Sequence, residues 1–446
     1  MDLPAFLALD GMKPARKSSL IMEEIRQIAV MQPTGKNLRV AFAILALLSA
    51  VVSARAAGFD LPDQDAFVIG RGMAFVATAD NPSAIYYNPA GISQLDGNNL
   101  RAGIYGLYLD PSFKSPGNGL TYDDQLRYHA IPQFYYTYGR KDRPVSFGLG
   151  VYSPFGLGSI WPQDIPNGFR TTAIEGKLFT ETINPVMAIK LFPSLSIGGG
   201  VMVNYAKLKL RQGLSTSPDN DLFQFDGDGW NVGYNLGVLW QPHEKISFGA
   251  TFHSGTTMNF NGQTETILPP FYPNTSPHFS SASADWQLPI KAIVGVSYRP
   301  TPKWNLEFDA DYTDWSALGT VNLNQSSPPF FMPSPSPTTL NWQSSWYYEF
   351  GATRYFDNGW HVSAGYIFNE NSVPDANYTP FVADLDRHFL SVGVGRKGKS
   401  FDFDVAYQFG YGPTRTVSGA TGSSAPANGD YSFISHAIAV SLGWHF

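Results

Sequence analysis

The chain has 446 residues, with 30 Lys and Arg against 36 Asp and Glu, 15% aromatic side chains, 43 Gly and no Cys. The missing thiols exclude disulfides, thiolate catalysis and Cys-based metal sites together, and the acidic balance argues against nucleic acid as a partner. No apolar run of spanning length follows residue 52, which excludes a helical membrane protein.

In chain order, Lys36 and Arg39 precede the apolar run Val40 to Val52, and Ala54-Arg55-Ala56 has the small-x-small pattern of a secretory cleavage site. A spanning helix needs roughly 20 apolar residues, and this run is too short. Residues 1–56 are therefore expected to be an N-terminal extension plus signal peptide, cleaved ahead of Ala57, with Met22 and Met31 as alternative starts. Cleavage leaves 23 basic and 32 acidic side chains, a net charge near −9.

Residues 57–97 do not alternate as a strand does. They carry Gly70-Arg71-Gly72, small residues at Ala74, Ala77 and Ala79, and Asn88-Pro89-Ala90-Gly91. Small residues and Asn-Pro suit a compact hatch folded inside a tube, where backbone must approach backbone. With no strand before it, the Gly70–Gly72 pair is no dinucleotide loop.

Residues 98–446 hold fourteen strand candidates, near 98–109, 127–138, 144–155, 173–191, 194–209, 228–240, 245–258, 283–299, 303–315, 340–356, 359–368, 384–397, 399–411 and 433–446. The connections alternate between short turns rich in Pro, Gly, Asn and Asp and long segments rich in Pro, Ser, Asn and Gly, as periplasmic turns and extracellular loops do. Trp230, Val232, Tyr234, Leu236, Val238 and Trp240 occupy one face of the sixth candidate, with Asn231, Gly233, Asn235 and Gly237 on the other. The ninth presents Asn305, Glu307, Asp309 and Asp311 inward, and Lys291 and Arg387 take inward positions elsewhere. Such charges are expected to pair within the lumen, because buried charge must be neutralised. Trp240, Trp304, Trp360 and Trp444 beside the turns, and Trp230, Trp315 and Trp342 near the opposite ends, are expected to form two aromatic belts. The last run places Ile438, Val440, Leu442, Trp444 and Phe446 on one face and ends the chain on an aromatic residue, the form the barrel-assembly machinery is expected to engage through Phe446. The fold expected is all-β: a fourteen-stranded antiparallel transmembrane barrel in the bacterial outer membrane, in contact with its lipid and lipopolysaccharide.

Catalysis finds no support. Ser435 and His436 are neighbours on opposite faces and cannot form a nucleophile–base pair, and the eight His show no metal-ligand spacing. No catalytic residue, metal or cofactor is expected.

Ala57-Gly58-Phe59, Gly70-Arg71-Gly72-Met73-Ala74, Ala79-Asp80-Asn81-Pro82-Ser83-Ala84-Ile85 and Tyr87-Asn88-Pro89-Ala90-Gly91 together resemble the FadL family of outer-membrane importers. The likeness continues through Tyr152-Ser153-Pro154-Phe155-Gly156-Leu157-Gly158, Leu288-Pro289, Asp311-Tyr312-Thr313-Asp314-Trp315, Ser372-Val373-Pro374 and Asp384-Leu385-Asp386-Arg387. It implies a barrel closed by an N-terminal hatch marked by Asn88, Pro89 and Ala90. It also implies passive import of hydrophobic molecules, long-chain fatty acids first, with uncharged aromatic or aliphatic hydrocarbons as the alternative. A general porin would lack the hatch. Lateral release is implied at a kinked third strand, here at Pro154 and Gly156, where Pro removes a ladder donor and Gly accepts unusual dihedrals. The family's carboxylate clamp maps onto Ser153, beside Phe155, and onto the basic cluster Lys209 and Arg211, with Gln212 the alternative in register. Its third member, a Lys before the tenth strand, falls in Pro333-Ser334-Pro335-Ser336-Pro337, which has none. That departure leaves room for uncharged cargo.

Overall fold

The computed structural model describes residues 58–272 and 276–446, so the expected leader lies outside the described residues. Fourteen antiparallel strands close into a barrel. They are β1 (Gly97–Lys114), β2 (Tyr128–Gly139), β3 (Val145–Tyr152 and Gly156–Ile160), β4 (Glu175–Phe192), β5 (Leu195–Gln212), β6 (Leu222–His243) and β7 (Ile246–His253 and Thr256–Ile267). The circuit continues with β8 (His278–Leu288 and Lys291–Tyr298), β9 (Trp304–Thr313 and Thr320–Gln325), β10 (Ser336–Thr339 and Ser345–Tyr355), β11 (Trp360–Asn369), β12 (Arg387–Lys397), β13 (Phe401–Val417) and β14 (Gly429–His445). β14 pairs with β1 from Asn99↔His445 to Lys114↔Asp430, so the sheet has no open edge at its seam. Phe446 extends the seam by exchanging two backbone hydrogen bonds with Asn98, at 2.9 and 3.0 Å.

Each expected strand falls on an observed one, but the loop-side ends differ. β1 runs on to Lys114, β5 and β6 extend to Gln212 and from Leu222, and the expected loop 259–282 shrinks to the stretch between Ile267 and His278. Above the membrane the outer face needs no apolar residues, so the ladder continues where the apolar alternation has stopped.

The outer face carries the expected belt at the turn end, where Trp240, Trp304, Trp360 and Trp444 are each about 40% exposed. The other belt holds Trp230, but Trp315 and Trp342 are buried inside the barrel. That corrects the sequence-based expectation, and the cause lies in the strands: β7, β8, β9, β10 and β3 are all interrupted, at 254–255, 289–290, 314–319, 340–344 and 153–155. At the β9 interruption Trp315 starts a 3₁₀ turn capped by Asp314, whose Oδ1 accepts from the Ser316 N–H.

Residues 58–96 fold inside the barrel as two short helices, α1 (Ala66–Gly70) and α2 (Ala84–Tyr87), and a 3₁₀ turn over Pro89–Gln94. Asp65 caps α1, accepting the Phe67 N–H at 3.1 Å, and its carboxylate also takes Arg101 of β1. Arg101 reaches on to Asp404 of β13 at 2.7 Å, which His361 of β11 also contacts. On the opposite wall the acidic face of β9 accepts four consecutive backbone N–H groups: Asp309 takes those of Phe75 and Val76 at 2.7 and 2.8 Å, and Glu307 those of Ala77 and Thr78 at 2.7 and 3.1 Å. Glu307 also binds the fully buried Arg71 at 3.0 Å. Asn88 caps the 3₁₀ turn through Ala90 and donates to the Val238 carbonyl of β6 at 3.0 Å. The wall accepts this segment at glycines. Gly72 has φ +63°, and a Cβ there would sit 2.7 Å from the Tyr366 nitrogen and 2.8 Å from the Phe350 oxygen, both fixed backbone.

The extracellular loops pack on one another. Trp161, Phe169, Phe113, Tyr431 and Tyr378 form a continuous aromatic chain with ring separations of 4.7–5.5 Å. Arg170, buried between β3 and β4, joins Asp221, just before β6, at 3.0 Å, and Asp221 also accepts the Leu214 and Ser215 N–H groups at 2.7 Å. Burial pushes the Asp124 carboxyl up to about 6, against the pull of the Ile160 and Leu126 N–H groups it accepts. Asp221→Asn should therefore weaken the loop 160–175 to loop 212–222 staple by about 1.5–3 kcal/mol, the size of a hydrogen bond to a charged group. Limited proteolysis should cut these loops first in the variant, with the barrel still heat-modifiable. Equal protection in both proteins would show that the staple contributes nothing.

Candidate functional site

β3 resumes at Gly156 after its break, so Ser153–Phe155 is an interruption and not a strand end. Its ladder with β2 runs from Gly139↔Ser146 up to Phe134↔Val151, next to the break. Pro154 has no N–H to give a ladder, and the chain's own N-terminal segment fills the vacancy. The Leu61 N–H donates to the Pro154 carbonyl at 2.9 Å, the Gly156 N–H donates to the Phe59 carbonyl at 3.0 Å, and Asp60 bridges Phe155. The Gln64 amide also donates to the Ser153 carbonyl at 2.7 Å. Residues 58–61 thus form a strap across the broken strand.

The strap is fixed by two side chains. Phe59, 3% exposed, enters an aromatic cage, with ring centroids 4.6 Å from Trp315, 5.6 Å from Trp342, 5.7 Å from Trp286 and 5.8 Å from Phe155. Asp60 binds Lys291 of β8 at 2.6 Å, and Lys291 also holds Asp311 of β9 at 2.9 Å. Gly58 adopts φ +57° against the two indoles, where a Cβ would lie 2.7 Å from Trp342 and 3.0 Å from Trp315. The buried apolar cluster around the cage takes in Leu178, Leu208, Phe225, Met258, Phe260, Leu288, Leu340 and Phe433, so this part of the lumen is filled by packed apolar side chains.

The expected clamp residues are not gathered here. Ser153 and Phe155 sit at the break, but Lys209 and Arg211 share the outward face of β5 with Ile197, Val201 and Lys207, while Leu208 faces the lumen. Lys209 pairs with Glu175 at 3.3 Å, and Arg211 lies opposite Glu175 in the ladder. The cation closest to the strap is Lys291, already held by two carboxylates. Trp315 and Trp342, expected in the outer belt, instead form the cage. In Trp315 a signal existed, since it continues the odd-numbered inward register of Asp309, Asp311 and Thr313.

A family model for outer membrane protein transport proteins (OMPP1/FadL/TodX) matches residues 47–446. The chain belongs to this family. It is similar to the long-chain fatty acid transport protein of Escherichia coli O6:H1, 24% identical over 448 residues, covering 90% of this chain and 97% of that one. In fold it resembles a Pseudomonas aeruginosa FadL homologue (TM-score 0.75, 18% identity, 87% of this chain and 100% of that one). The Pseudomonas putida toluene transporter TodX is also similar (TM-score 0.67, 16% identity, 87% and 99% covered). The protein is thus an integral outer-membrane barrel of the FadL family.

Proposed function

We propose that this FadL-family protein imports hydrophobic molecules passively, with residues 57–97 as its hatch and the break in β3 as a lateral exit. The observation that carries the reading is the strap: one segment both fills the aromatic cage through Phe59 and bridges the break in β3 through its backbone. A hydrophobic cargo that takes the cage displaces Phe59, and the same movement uncovers Ser153–Gly156. Relatives named for long-chain fatty acids and for toluene both fit this chemistry.

The chain has no Cys, so a single engineered pair tests the reading cleanly. Asp60 and Phe155 face each other at a bridge whose hydrogen bonds are made by their neighbours. Such non-hydrogen-bonded partners lie roughly 4.5 Å apart at Cα, within disulfide reach. Asp60→Cys with Phe155→Cys should block uptake of toluene and of oleate when oxidised and recover it on reduction. Equal uptake in both redox states would place the exit elsewhere.

Among cargoes, those needing no cation are favoured, because Lys209 and Arg211 point away from the lumen. A carboxylate in an apolar site needs a cation or several donors. Arg211→Gln should accordingly leave oleate and toluene affinities within about twofold of wild type. A selective loss of oleate binding, about 1.5–3 kcal/mol for a charged hydrogen bond, would restore the clamp.

A further inference from the structure

We infer that Trp315 and Trp342 form a hydrogen-bond donor pair that selects apolar cargo bearing one neutral oxygen acceptor: a ketone, an ester, an ether or an undissociated carboxylic acid. This rests on the cargo reading above and names the chemistry of the same cage. The two indoles are 0% and 4% exposed, 5.4 Å apart at their ring centroids, and both Nε1–H groups lack a hydrogen-bond partner among the described residues. Buried donors are nearly always paired, and an unpaired one carries a desolvation cost. Contrast Trp161, equally buried in the loops, whose Nε1–H donates to the Pro380 carbonyl at 2.9 Å.

The placement of the two orphans is informative. Both occur where a strand is interrupted, at 314–319 and 340–344, and both close on Phe59, the side chain that a cargo would replace. Trp342 follows Asn341, whose φ of +46° turns the backbone there, and its own N–H is used on the Leu318 carbonyl at 3.1 Å. The indole rings are thus held by backbone while their donors stay free. Phe59 offers no acceptor, so the strap fills the cage sterically without satisfying either indole. A cargo oxygen can do both. The same donors cannot hold a carboxylate well, since two neutral N–H groups do not replace the lost hydration of a full charge in an apolar cage.

Ethylbenzene and acetophenone have nearly the same shape and differ by a carbonyl, so they isolate the donors. Wild-type protein, titrated at matched aqueous activity of each compound, should prefer acetophenone. Each indole should contribute about 2- to 12-fold, the range of a neutral hydrogen bond. Trp315→Phe and Trp342→Phe keep an aromatic ring at each position and should each lower the ratio of acetophenone to ethylbenzene affinity, with the double variant near parity; because both residues line the cage, the ratio and not the absolute affinity is the readout. Equal binding of the two compounds by wild type, or an unchanged preference in the double variant, would overturn the donor assignment while leaving hydrophobic import intact. Failure of wild type to bind either compound would overturn both.

Discussion

Glu307→Ala should unplug the barrel. Its carboxylate accepts the Ala77 and Thr78 N–H groups and the Thr78 hydroxyl, and it pairs with Arg71, whose side chain has no exposure. Removing it leaves a buried guanidinium with Asn305 as its remaining hydrogen-bond partner among the described residues, a loss of about 3–5 kcal/mol for a broken buried pair. The β9 ladders to β8 and β10 do not depend on this side chain, so the wall should still assemble. The inner segment should lose its hold on β9, and planar-bilayer recordings should change from sealed to conducting for small ions. A sealed variant with unchanged denaturant resistance would show that the hatch is held elsewhere, through Arg101 with Asp65 or through Asn88.

Phe59→Ala should produce the other large effect, and in the opposite functional direction. The ring is packed by four aromatic neighbours, and truncating a buried Phe typically costs about 3–5 kcal/mol, with the excess set by the cavity left behind. The strap keeps its backbone bonds to Pro154 and Gly156 but loses its anchor, so amide exchange at 58–61 should accelerate. Cargo would no longer have to expel Phe59. Toluene affinity should therefore rise by at least about tenfold, only about 1.4 kcal/mol of the anchoring energy. Apolar cavities of this kind stay dry and accept aromatic molecules. Unchanged or weaker toluene binding would mean that Phe59 is structural packing and that cargo sits elsewhere in the barrel.

Much of the architecture was legible because a barrel wall imposes one rule at every residue. Lipid on one side and lumen on the other force a period of two, and β6 from Phe225 to Trp240, β13 from Phe401 to Gly412 and β14 from Tyr431 to Trp444 obey it. The same rule puts Asp309, Asp311 and Lys291 inward, and parity from Ile197 and Val201 puts Lys209 and Arg211 outward. The expected pairing of lumen charges holds for Lys291 with Asp60 and Asp311. It missed the main task of β9, where carboxylates accept the backbone of the inner segment. A strand's own residues do not show which distant N–H groups will arrive there.

By itself, then, the sequence determined the strand count, the facing along uninterrupted strands and which end carries the short turns, all of which depend on local period and turn chemistry, and its motifs carried the family likeness. The tertiary structure decided the rest: that residues 58–61 complete a broken ladder 95 positions away, that Phe59 occupies the cage, and that Trp342 faces inward. On β10 parity alone would send Trp342 outward with Trp346 and Tyr348, and it is the turn at Asn341 that reverses it. Periodicity holds only while a strand is continuous. At an interruption the backbone turn resets the side chain's direction, and here it carries Trp342 onto Phe59 of the strap.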